Sequence, residues 1–180
     1  MKRYTTSNDP LAGVIIPILV GGLAISTAAF SYKATQNAPA AIAAYIVFIA
    51  PLLLLTLLIA FYILKPKYIT ADTNGLAIHR LTNPVSIPYS TISSISSITN
   101  SDISGSVRTF GNGGLFGYTG RYYNSRLGKM TWYCTQRKNY VLVTLTNNKK
   151  IVITPDNPAD LVVELRKYAP AEVVISSRNQ

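Results

Sequence analysis

The chain has 180 residues, a net charge of +10, 48% hydrophobic residues and a positive mean hydropathy of +0.24, a basic protein whose hydrophobicity is high for a soluble one. Its single Cys rules out an intrachain disulfide, and one His with seven carboxylates leaves too few ligands for a metal cluster at ligand spacing. The same shortage argues against a catalytic set, so no catalytic, cofactor-binding or metal-ligating residue is expected.

The apolar surplus lies before Lys65. Residues 11–30 (LAGVIIPILVGGLAISTAAF) are uncharged and about as long as a helix that crosses a hydrocarbon core. Pro17 and the Gly21-Gly22 pair suit a membrane helix better than a soluble one. Residues 41–64 form a second apolar run, with Tyr45 and Tyr62 where interfacial aromatics belong. A cleaved signal peptide competes for the first run, since Lys2 and Arg3 resemble an n-region and Ala38-Pro39-Ala40 has the A-x-A form. That apolar run is too long for a usual h-region, and the cleavage site lies too far beyond it. The expectation is therefore a hairpin of two transmembrane helices over residues 1–64. Basic residues flank the pair (Lys2 and Arg3 before, Lys65 and Lys67 after), and the short connection carries only Lys33. This bias predicts a multi-pass protein of the inner cell membrane, with both termini and the following domain cytoplasmic.

Residues 65–168 read as a β-rich domain, and 169–180 as a tail that frays unless Val173, Val174 and Ile175 pack. Thr73-Asn74-Gly75 predicts a hairpin turn, with a returning strand over 76–79. Residues 85–89 alternate as a short strand that Pro88 confines to an edge or an end. Ile92, Ile95 and Ile98 are spaced by three, and the Ile/Ser/Thr composition favours strand over helical turn. Residues 132–135 read as a strand. Residues 140–146 alternate, Asn147-Asn148 turns the chain, and 150–154 pairs back. Asn157 predicts an N-cap with Pro158 in the first turn, opening a helix whose Leu161, Val162, Leu165 and Tyr168 face the sheet.

Between these elements runs RTFGNGGLFGYTGRYYNSRLGKMTWYCTQRK, residues 108–138, with six glycines, six basic side chains and no carboxylate. The acid-free block extends from Asp102 to Asp156 and also holds Lys149 and Lys150. Such a block suits an anionic partner, or it is simply a solvated face. The glycine spacing matches neither a P-loop nor the dinucleotide fingerprint, and reads instead as a β-hairpin or bulge at a close contact. His79 is read as an edge or surface residue, Cys134 as a small buried one, and Asp72 and Asp102 as turn residues.

The order of about seven short strands and a closing amphipathic helix, with the glycine-aromatic run and the TPDNP helix entry, resembles the bacterial PH-domain proteins over residues 65–168. The resemblance implies a PH-like barrel plugged by its helix, and a binding or scaffolding role with no reaction. Phosphoinositide-binding PH domains place a basic cluster in the first hairpin. Here that hairpin is ITADTNGLAI, without Lys or Arg, which argues against that mode. The expected function is a membrane-anchored module that engages a protein partner or a second copy of itself. The alternative is contact with anionic headgroups of the lipid bilayer. Nucleic acid, a small-molecule substrate and an enzymatic role are disfavoured. The expected contact residues are Arg108, Phe116, Tyr118, Arg121, Tyr122, Tyr123, Arg126, Lys129 and Trp132.

Overall fold

The computed structural model describes residues 2–37, 39–171 and 173–176; within the first two helices it describes the side chains of 10, 18, 20–33, 36, 42, 49 and 52–64. The chain opens with strand β1 (Lys2–Thr5), then helices α1 (Pro10–Asn37) and α2 (Ala40–Leu64), which lie against each other. Strands β2 (Tyr68–Ala71), β3 (Gly75–His79) and β4 (Val85–Pro88) follow, then β5 (Ile92–Ile98) and the single-turn helix α3 (Asn100–Ile103). A meander of β6 (Val107–Gly113), β7 (Tyr118–Asn124) and β8 (Gly128–Cys134) leads to β9 (Tyr140–Leu145) and β10 (Lys150–Ile153). Helix α4 (Pro158–Tyr168) and β11 (Val174–Ser176) close the chain.

Two sheets form. The first has the order β1-β2-β3-β4 and is antiparallel throughout. The second has the order β11-β5-β9-β10-β8-β7-β6, with β10 parallel to β8 and β11 parallel to β5. The predicted first hairpin is present: Asp72 Oδ1 accepts from the backbone N–H of Asn74 (2.8 Å) and Gly75 (3.3 Å), the local bonding that makes Asp a turn former. Asn157 caps α4 by accepting from the Asp160 N–H, and Leu161, Val162 and Leu165 are buried as expected.

One core lies between the two sheets and α4, with Ile69, Leu76, Ile78, Ile95, Val143, Ile153 and Leu161 fully buried. A second core covers the other face of the second sheet. The period of two along a strand sends Val141 and Val143 into the first core and Leu142 into the second. The isoleucine spacing in β5 has the same origin. A register shift between Ile92 and Ser94 adds a residue, so Ile92 and Ile95 share the first core while Ile98 enters the second.

Two expectations need correction. Among the described residues, no helix is long and apolar enough to cross a membrane. A helix that spans a hydrocarbon core needs roughly 20 consecutive, predominantly apolar residues. The run at 11–30 is diluted by Gly21, Gly22, Ser26 and Thr27; most of 11–19 and of 41–51 falls outside the described side chains. The fold is therefore not two transmembrane helices followed by a barrel, but a two-sheet β domain with a helical hairpin between β1 and β2. The multi-pass placement in the inner membrane, with its orientation, rested on those spans and falls with them.

Lys2 and Arg3, read as flanking charges, belong to β1 and pair with Ala71 and Thr70. Tyr4 is buried to 6% exposure in the first core and donates its hydroxyl to the Asp160 carbonyl at 3.2 Å. The Arg3 guanidinium lies 3.8 Å from the centre of the Tyr68 ring. Residues 2–9 thus complete the β domain across the helical insertion. At the other end, Val173 is buried and 174–176 pairs with β5, so this part of the tail packs.

Candidate functional site

The stretch singled out by its glycines is the β6–β7–β8 meander, and the glycines mark where its backbones meet. Gly111 and Gly120 face each other across β6 and β7, with φ of 109° and 130°. A Cβ on Gly111 would run into the Thr119 carbonyl, and one on Gly120 into the Phe110 carbonyl. The register shifts once more between Arg108 and Phe110. Asn112 closes the first turn: its side chain bonds to both the N–H and the carbonyl of Leu115. Asn124 closes the second, accepting from the N–H of Arg126 (2.9 Å) and Leu127 (3.2 Å).

Alternation then divides the predicted contact residues. Arg121, Tyr123 and Lys129 fall on one face, where Tyr123 is 48% exposed. With Lys149 of the β9–β10 turn and Lys150 at the start of β10 they line an open groove of about 760 Å³, with no carboxylate among its described lining residues. Lys150 is partly engaged, since its Nζ donates to the Leu127 carbonyl at 2.6 Å. The sequence reading counted Lys149 and Lys150 in the acid-free block but did not place them at this site. Only the parallel pairing of β10 with β8, Lys150 opposite Met130, brings them there.

Tyr118, Tyr122 and Trp132 fall on the other face. Tyr122 and Trp132 are stacked, centroids 4.1 Å apart at 12°, and Tyr140 leans on Trp132 at 5.9 Å. With Arg108 and Arg137 they line a second hollow of about 700 Å³. The Tyr122 hydroxyl donates to the Asn112 carbonyl at 2.9 Å; burial, opposed by Arg108, pushes its pKa up to about 12. Tyr118 donates to Asp9 Oδ2 at 3.1 Å, and burial and that bond both raise its pKa. Asp9 also takes the Arg137 Nε–H at 3.0 Å and anchors its own N–H on the Thr135 carbonyl. Asp9 and Arg137 went unnoticed in the sequence, because Asp9 lies ahead of both apolar segments and has no local pattern.

Two predicted residues join neither surface. Arg126 pairs with Asp102 at 3.3 Å and donates to the Ser101 carbonyl, fastening the β7–β8 turn to α3. Phe116, at a φ of 62°, meets Tyr62 of α2 edge-on at 5.4 Å. Cys134 is fully buried and its thiol pKa is raised by burial, so it is packing and not a nucleophile. His79 stacks on Tyr68 and shares a 2.9 Å hydrogen bond with Thr70 at the edge of the first core.

Residues 67–169 match the profile of a protein family described as Bacterial PH domain. No curated protein and no solved structure matches the chain.

Proposed function

The chain belongs to the bacterial PH-domain family, and on that premise we propose that it is a binding module whose basic groove engages an acidic segment of a protein partner. PH domains are in general binding modules and not enzymes, which agrees with the coarse reading of the sequence. The observation that carries the proposal is the convergence of Arg121, Lys129, Lys149 and Lys150 from separate parts of the chain on one concave surface, with Tyr123 exposed beside them. Exposed Tyr and Arg are residue types that dominate binding energy when a partner buries them. Opposite charge on the partner speeds encounter and excludes wrong partners.

Charge also decides against self-assembly through this surface. A second copy also carries +10, with only seven carboxylates in the chain and none between Asp102 and Asp156. Seven carboxylates against 17 Lys and Arg give it little negative charge to offer.

Titration of the full chain with a glutamate-rich peptide, a neutral peptide of equal length and vesicles containing phosphatidylglycerol tests the proposal. Saturable binding to the acidic peptide that weakens steeply with salt supports it. Reversing Arg121 and Lys149 to Glu together should cost at least tenfold in affinity. Equal binding to the neutral peptide, or indifference to the reversal, overturns the proposal; tighter binding to the vesicles replaces it with headgroup contact.

A further inference from the structure

The aromatic hollow on the opposite face of β7 and β8 has no part in that reading, and its chemistry differs. We propose that it binds a small organic anion with a flat apolar body, an aromatic carboxylate or phosphate.

The apolar part of the argument is the lining. Tyr118, Tyr122, Trp132 and Tyr140 line a hollow of about 700 Å³. That lies in the range of small-molecule sites and is far larger than a bare ion would fill. The polar part comes from counting donors. The hydroxyls of Tyr118 and Tyr122 are already committed to Asp9 and to the Asn112 carbonyl, and Ser106 Oγ donates to the Ile103 carbonyl. The donors left are cationic or unpartnered. Arg108 folds across Gly113, where a Cβ would strike its guanidinium, so glycine there makes room for the charge beside the rings. Among the described residues Arg108 has no carboxylate partner. Arg137 presents a half-exposed guanidinium, held by Asp9 through Nε alone.

The decisive group is the indole of Trp132. It is 5% exposed, and its Nε1–H is buried with no acceptor among the described residues. A buried donor without a partner costs about 1–3 kcal/mol, which an acceptor would recover once a bound ligand parts the ring packing that covers it. Two guanidiniums and one idle N–H select an acceptor-rich, negatively charged group, and the rings select its flat body. Asp9 holds both Tyr118 and Arg137, so the wall of this hollow is set by the segment that links β1 to α1.

Trp132 is the only tryptophan in the chain, so its indole N–H gives a single nuclear magnetic resonance signal in the full-length protein. Titration with 2-naphthoate and phenyl phosphate should move that signal saturably, while uncharged 2-naphthamide leaves it in place. Arg108→Gln should weaken the response about tenfold, and Lys149→Gln, in the basic groove, should leave it unchanged. A signal that never moves at millimolar 2-naphthoate overturns the proposal. So does an equal response to 2-naphthamide, or a response that Arg108→Gln leaves intact in a protein whose unligated spectrum is otherwise native.

Discussion

Tyr118, Tyr122 and Trp132 stand on one face of β7 and β8, while Arg121, Tyr123 and Lys129 stand on the other. Both sets come from one basic, aromatic, glycine-rich stretch, and composition alone gives no reason to separate them. A strand separates them because successive side chains point to opposite faces. The first set is packed into the second core with Leu142 and Val152 behind it. The second set is exposed to solvent. The same residue types therefore stabilise the fold on one side and are exposed on the other, so mutations on the two faces should separate stability from binding of the acidic peptide.

The largest effect should come from Trp132→Ala. Removing this buried ring should destabilise the protein by about 4 kcal/mol in chemical denaturation. Arg121→Ala and Lys129→Ala should each stay within about 0.5 kcal/mol while lowering affinity for the acidic peptide. Equal losses of stability on both faces would erase the distinction. Gly120→Ala comes next, because the new Cβ meets the Phe110 carbonyl at a φ that L residues rarely adopt. A loss of about 2–3 kcal/mol and weakened binding at both surfaces are expected, since both depend on the β6–β7 approach. Tyr122→Phe should cost about 1 kcal/mol, read as a lower melting temperature, by leaving the Asn112 carbonyl unpaired.

The smallest effect lies away from both faces and serves as a reference. Burial opposes ionisation of Asp156, but hydrogen bonds from Thr5 and Ser7 and the charge of Lys138 outweigh it and hold its pKa below the ordinary value. A depressed carboxylate stabilises the fold above its unfolded pKa, and that contribution is lost as pH falls through the folded value. Melting temperature should therefore drop modestly below about pH 4. Asp156→Asn should flatten this part of the profile without moving the Trp132 indole signal. A flattened profile accompanied by a shifted indole signal would show that loosening Ser7 from Asp156 is transmitted along residues 7–9 to the aromatic hollow.

Much of the β domain was legible because its signals are local. The Asp72 turn, the strand alternation of 140–145, the Asn157 cap and the buried face of α4 each depend on neighbours within a few residues. The isoleucine triplet at 92–98 was legible as a strand, but its spacing made sense only once the bulge after Ile92 was seen. The apolar runs misled: among the described residues no helix is long and apolar enough to cross a membrane.

What the sequence determined by itself is the bacterial PH-like identity of the domain, the acid-free block and the hairpin-forming glycines, because each is written in residue type and short-range spacing. Tertiary structure alone decided that Tyr4 and Asp9 complete a domain that resumes at Tyr68, and that Lys149 and Lys150 join Arg121. It alone left the Trp132 N–H without an acceptor. These are long-range pairings, set by which strands find each other across the intervening chain, and residue type carries no local record of them.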